Sequence, residues 1–220
     1  MASTLPLQAG LKGKVDIGPA YVHLETIVDN RTFSKTDLGA IKFDGNVYND
    51  QGWGSKLSVL QSVWDMDSTG EDATTIQLAV GRYIPVTSCL TLFPEVGIGW
   101  SSITTDLELA TMIPLKRVSK SPGYFIGFEG CYSITKCFRF CGQFLWGWTK
   151  IKSEFKTKES NQLVNTVHST GSGPVLSALL EYDLNNRWSV NIGGAYNLSW
   201  DDDNNGLRAW GGKAGIAYWF

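Results

Sequence analysis

Along residues 187–200 the even positions read Trp188, Val190, Ile192, Gly194, Tyr196, Leu198 and Trp200, and the odd ones Arg187, Ser189, Asn191, Gly193, Ala195, Asn197 and Ser199. Successive side chains of a strand point to opposite faces, so this period of two makes one face apolar and the other small and polar. Residues 137–150 repeat the pattern, with Phe138, Phe140, Phe144, Trp146 and Trp148 against Arg139, Gln143 and Thr149. In 89–100, Leu90, Leu92, Val96, Ile98 and Trp100 oppose Thr91, Glu95, Gly97 and Gly99. Extended over the chain, the alternation predicts strands at 12–27, 36–48, 53–65, 73–83, 89–101, 122–132, 137–150, 172–182, 187–200 and 207–220. Pro19 predicts a bulge in the first of these, and 28–36 has no clear turn. Eight or twelve strands are therefore the alternatives to ten.

The strands are spaced by a repeat. Gly81-Arg82-Tyr83 turns into Cys89-Leu90, Gly130-Cys131-Tyr132 into Cys137-Phe138, and Glu181-Tyr182 into Arg187-Trp188, with the tyrosines 49 and 50 residues apart. Between these tight turns lie longer polar stretches at 102–121, 152–171 and 201–206. Short turns at one end and long loops at the other predict a closed, antiparallel, up-and-down transmembrane β-barrel of about ten strands. Residues 12–220 would form the barrel, after an N-terminal segment at 1–11.

Alternation alone fits a soluble barrel equally well, with its apolar face turned inward. Aromatic placement separates the two. Trp64, Trp100, Trp148 and Trp200 fall late in upward strands, while Tyr83, Tyr132, Tyr182, Trp188, Tyr218 and Phe220 gather at the turn end. About ten residues at ~3.3 Å each, tilted by about 40°, span roughly 25 Å, the height of an apolar membrane band between two aromatic girdles. Charged residues make up only 18% of the chain, against about 25% in soluble domains. No run of apolar residues is long enough for a transmembrane helix. A net charge of -2 gives no reason to expect nucleic acid.

The last strand, Ile216-Ala217-Tyr218-Trp219-Phe220, resembles the terminal strand of Gram-negative outer-membrane β-barrels. The resemblance implies an outer-membrane location, contact with outer-membrane lipid, short turns on the periplasmic side, and folding by the barrel-assembly machinery, with Phe220 as part of its signal. Met1 to Leu7 has neither a basic region nor a long apolar core, so a secretory signal would already have been removed.

Parity sends Asp16, Asp44, Glu95, Glu129 and Glu181 into the lumen with Lys14, Lys42, Lys56, Arg139 and Lys213. Two readings stand: ion pairs that fill a narrow barrel, or a water-filled passage with both signs on its wall. The first function expected is a small passive, porin-like channel for ions or small hydrophilic solutes. The second is an adhesin or envelope-structural barrel acting through its extracellular loops. On the lipid side, Ile192→Arg is expected to be costly and the lumenal Asn191→Arg mild.

Cys89, Cys131, Cys137 and Cys141 are assigned to the lumen near the periplasmic end, as disulfides or as free thiols. A pairing of Cys131 with Cys137 would set Glu129 opposite Arg139. Zinc spacing is absent and no metal or other cofactor is expected. Asp201 to Gly206 matches the first half of a calcium loop, but Gly212 stands where the bidentate Glu would be, so a tight turn is the better reading. An enzyme is not expected. Only His23 and His168 are available as bases, and His168 has no acidic neighbour in sequence.

Overall fold

A computed structural model describes residues 10–67, 70–107, 114–201 and 205–220. Most of the N-terminal segment expected at 1–11, and the middle of the Asp201–Gly206 turn, lie outside these. Eleven strands follow one another: β1 Lys12–Val28, β2 Arg31–Tyr48, β3 Trp53–Asp65, β4 Asp72–Arg82, β5 Ile84–Pro85, β6 Leu90–Leu107, β7 Leu115–Ser133, β8 Phe138–Thr157, β9 Leu163–Asp183, β10 Trp188–Trp200 and β11 Gly206–Trp219. β5 is a two-residue spur on β6. The other ten form a closed antiparallel barrel, with β4 paired to β6 and β1 to β11. At the seam Gly13 N donates to Phe220 O at 2.9 Å and Phe220 N to Gly13 O at 3.0 Å, so the last residue closes the cylinder.

Register fixes its girth. Paired residues lead from Trp200 through Ser172, Trp148, Tyr124, Ile98, Leu78, Leu57, Gly45, Val15 and Tyr218 back to β10 at Trp188, twelve residues below the start. Ten strands with that stagger imply a tilt of about 40° and a backbone radius of roughly 10 Å. A lumen of that size admits side chains from all walls but little else.

The fifty-residue repeat is a repeated turn. Val86, Ile134 and Leu184 each donate a backbone bond to the carbonyl of Leu90, Phe138 and Trp188. In each turn a side-chain oxygen one residue on (Thr87, Thr135 or Asn185) accepts from the backbone of Cys89, Cys137 or Arg187, at 3.2, 3.3 and 2.9 Å. Such Asx and ST turns hold the chain while it reverses.

Residues 28–36 hold a turn that the sequence pattern does not disclose. Asp29 and Asn30 both have positive φ, 49° and 61°, the two-residue geometry whose twist suits a hairpin. Asp and Asn are among the few non-glycine residues that adopt it readily. Pro19 makes no bulge: the β1–β11 register is the same on both sides of it, and the ladder skips only Gly18 and Pro19. The register shifts lie elsewhere, between Thr26 and Ile27 on β1, at Gly39/Ala40 on β2, and between Phe155 and Lys156 on β8. The second one matters for β3, where Lys56 and Trp64 share parity yet face opposite ways. The irregularity between them lets Lys56 enter the lumen while Trp64 stays 62% exposed.

The stretches expected as loops at 102–121 and 152–171 are mostly strand. β6 and β7 pair up to Leu107 and Leu115, and β8 and β9 up to Lys156 and Leu163. Cross-strand hydrogen bonds continue above the membrane because serine, threonine and lysine suit a solvated sheet as well as a loop.

Candidate functional site: lumen and outer wall

The outward face is apolar between the girdles. Ile98 and Ile192 are 62% and 63% exposed, and Val80, Val96, Ile126 and Phe128 are each more than half exposed. Trp100, Trp148, Tyr132, Tyr182 and Trp188 also face outward, Tyr124 stacks on Trp148 and Trp188 packs edge-on to Tyr218. So extensive an exposed apolar surface, over a charged interior, is that of a membrane-spanning barrel. Tyr83 is an exception to the expected girdle. It follows an inward parity, lines the lumen, and packs on Tyr48 and Phe93 at centroid distances of 4.7 and 4.3 Å.

Inside, a cavity of about 650 Å³ runs up from the turn end. Asp16, Asp44, Lys56, Glu95, Glu129, Arg139, Glu181 and Lys213 all line it, with Lys14 and Lys42. Ion pairs link them across the strands. Lys213 Nζ lies 2.6 Å from Asp44 and 3.2 Å from Asp16. Lys56 reaches Glu129 at 3.1 Å and Glu95 at 3.5 Å, over the Phe93 ring. Lys14 meets Glu181 at 2.9 Å, while Arg139 meets Asp183 at 2.6 Å and Glu181 at 3.6 Å. Gln143 donates to Glu95 at 2.8 Å, Ser189 to Glu181, and Asn191 to Asp16. Asp16, Glu181 and Glu95 are thereby buried to 2%, 2% and 4% exposure without being left unpaired. Glu129 faces Gln143 in register and takes Lys56 as its partner rather than Arg139, whose guanidinium turns toward β9.

The cysteines divide. Cys131 and Cys141 are register partners with Cα atoms 4.1 Å apart and form a disulfide. Cys137 cannot reach Cys131, because it sits in the turn itself while Cys131 is already opposite Cys141. Cys89 and Cys137 are free and exposed at the turn end, outside the lumen to which parity assigned them.

Higher up, the lumen carries two apolar clusters. Leu24, Leu38 and Ala73 form a buried cluster with Val22, Ile103 and Ala209 against it. Phe125, Leu145 and Ala79 form a second, lower one. The sequence reading missed these layers, although Phe125 and Leu145 follow inward parity. Along the strands the Leu24 cluster comes after the residues of the large cavity. Its Leu24 and Ile103 themselves line a smaller cavity of about 180 Å³, with Glu71, Arg117, Ser119, Ser153 and Ser199. Here Thr105 donates to Glu71 at 2.8 Å.

His23 is on the outer wall, with its Nδ1 2.6 Å from Asp37 Oδ1 and its Nε2 3.4 Å from Glu25 Oε1. Tyr21 donates to the same Asp37, Trp210 lies 5.0 Å from the imidazole, and Arg208 pairs with Glu25 at 3.0 Å. Sequence spacing could not join His23 to Asp37, which the β1–β2 register brings opposite. The pair looks away from the lumen, and both imidazole nitrogens meet carboxylates. His168 stands in register with Lys152. In the 201–205 turn, Asn205 N donates to Asp201 at 2.8 Å.

Lipid-facing apolar band, aromatic girdles and charged lumen together define an integral outer-membrane β-barrel. No protein family matches the chain, and no curated protein matches it in sequence. Solved structures do match it in shape. The outer membrane protease OmpT from Escherichia coli superposes with a TM-score of 0.68 at 14% identity over 99% of both chains. The translocator domain of the autotransporter NalP from Neisseria meningitidis gives 0.52 at 11% identity over 95% of this chain and 88% of that one. The likeness is to the fold of Gram-negative outer-membrane barrels.

Proposed function

We propose that the barrel is a narrow, gated channel for ions or small hydrophilic solutes. The observation that carries this reading is the stacking of two interior cavities with the Leu24, Leu38 and Ala73 cluster between them. Apolar constrictions between wetted chambers gate by excluding water. On β8, a Cβ on Gly147 would meet only two backbone oxygens, at 3.8 and 4.0 Å, so this stretch of wall leaves space. The balanced ion pairs below the constriction give weak selectivity, since neither sign forms a ring alone. In the same reading, Phe220 is the residue presented to the barrel-assembly machinery.

Conductance of the full chain in planar bilayers tests the proposal. Wild type should show small, brief openings. Leu38→Ser should lengthen them by wetting the constriction, and Gly147→Phe should abolish them by filling the gap. Heat-modifiable migration on gels confirms that each variant is folded. A wild type and a Leu38→Ser variant that are folded, inserted and both silent would overturn it. A second reading rests on a separate observation: β6–β9 continue above Trp100 and Trp148 as paired sheet. A standing wall of that kind suits attachment at the cell surface, and a silent barrel would shift the function there.

A further inference from the structure

Outward-facing residues of β7, β8 and β9 just above the girdle are basic and lie side by side. Lys120 is paired in register with Lys152, and Lys152 in turn with His168. Lys150 lies one step below Lys152 on the same face, opposite Thr170. Two steps above Lys152, Lys116 is paired with Lys156. Two lysine–lysine cross-strand pairs in one hairpin are unusual, because like charges directly opposite one another destabilise a sheet. Acids relieve only some of these lysines. Glu154 lies between Lys152 at 2.7 Å and Lys156 at 2.9 Å, and Asp106 holds Lys158 at 2.9 Å. Lys120 and Lys150 are exposed and make no ion pair among the described residues.

Depth selects the occupant. Lys150 and Lys152 are two and four residues beyond Trp148 on β8, which at ~3.3 Å per residue and a tilt of about 40° puts their Cα atoms roughly 5 and 10 Å above it. Trp148, Tyr124 and Trp100 mark the boundary of the hydrocarbon. The lower tier of the patch therefore stands in the headgroup layer and points sideways into it, not upward into water. We propose that Lys120, Lys150 and Lys152, flanked by His168, bind the phosphates of an outer-leaflet glycolipid headgroup, with Tyr124 and Trp148 against its acyl chains. The phosphates replace the repulsion within each lysine pair by attraction to a shared anion. A lipid is thus held on one side of the barrel, where the wall stands tallest.

The test uses the full chain, refolded in zwitterionic detergent, and compares diphosphoryl lipid A with its dephosphorylated form by native mass spectrometry and thermal unfolding. Wild type should retain the diphosphoryl lipid and unfold at a higher temperature with it, and the dephosphorylated form should do neither. The variant Lys120→Gln/Lys150→Gln/Lys152→Gln should lose about a hundredfold in affinity at low salt, since each basic residue at an anionic surface contributes about a factor of five. Without lipid the same variant should unfold at close to the wild-type temperature, because the Lys120–Lys152 repulsion it removes offsets the loss of the surface Lys152–Glu154 pair. A merely structural role for the lysines would instead lower stability with or without lipid. Lys12→Gln/Lys136→Gln, at the turn end, should retain lipid as wild type does. Equal retention by wild type and the triple variant, or equal binding of the dephosphorylated lipid, would overturn the proposal. Stabilisation of wild type by inorganic phosphate as large as by the lipid would reassign the patch to free phosphate. Capture of soluble heparin by lipid-A-saturated protein, lost in the triple variant, would reassign it to a soluble polyanion. Should the triple variant fail to refold, Lys150→Gln alone must still lower retention several-fold.

Discussion

Replacing Ile192 by arginine puts a charge where the barrel meets the lipid most directly. Ile192 is 63% exposed, and its register neighbours Leu180 and Ala214 face lipid with it. It lies four residues above Trp188, which at ~3.3 Å per residue and a tilt of about 40° is roughly 10 Å, near the middle of a band about 25 Å tall. Neither boundary is within easy reach of a guanidinium, so snorkelling recovers little. The cost expected is roughly 2–4 kcal/mol. Urea unfolding of the full chain in lipid bilayers, followed by tryptophan fluorescence, measures it. The comparison is Asn197→Arg, which projects the same charge into the large cavity and should cost less than about 1 kcal/mol. Asn191, at first sight the natural comparison, is unsuitable: it is 6% exposed and donates to the buried Asp16, so an arginine there would be far from mild. If Asn197→Arg were the costly change and Ile192→Arg the silent one, the apolar face would be a core and the barrel soluble.

Lys56→Met should cost roughly 3–5 kcal/mol, because it strands Glu95 at 4% exposure with Gln143 alone; adding Glu95→Gln should restore most of that in the same unfolding assay, and no restoration would discount the ion pair. Thiol titration of folded, unreduced protein should find Cys89 and Cys137 and no others, while Cys131→Ser/Cys141→Ser should lower stability by about 2–3 kcal/mol for a loop this short. Hydrogen bonds from Lys152 and Lys156 lower the Glu154 carboxyl from 4.5 to about 2. A depressed folded value means that the contribution of this carboxylate is complete above its unfolded value and fades as pH falls from about 4.5 toward 2. Infrared titration of the carboxylate band should show that group ionised at pH 3 in wild type and largely protonated in Lys152→Gln/Lys156→Gln.

The strand ends of the three repeated hairpins were legible because each turn carries its own chemistry in adjacent residues. The lipid face was legible because lipid selects strongly for apolar side chains at every second position, whatever the neighbouring strands do. The loops at 102–121 and 152–171 were misread for the complementary reason: above the membrane no medium enforces alternation, so a solvated strand and a solvated loop look alike. Tyr83 was misread because its place at the turn end suits the girdle, although the parity of β4 turns it inward with Ala73 and Ala79.

Sequence by itself determined the period of two, the spacing of the hairpins, the two aromatic levels and the set of charges that enter the lumen. All of these depend on a single strand and the solvent on each side of it. The tertiary structure decided which charge meets which. Lys56 with Glu95 and Glu129, His23 with Asp37, Cys131 with Cys141, and Lys120 with Lys152 are each set by register between strands. Register depends on turn geometry and on irregularities such as those at Thr26/Ile27 and Gly39/Ala40. One residue of slip exchanges every partner and every face beyond it, so contacts across the barrel exist only once the cylinder has closed.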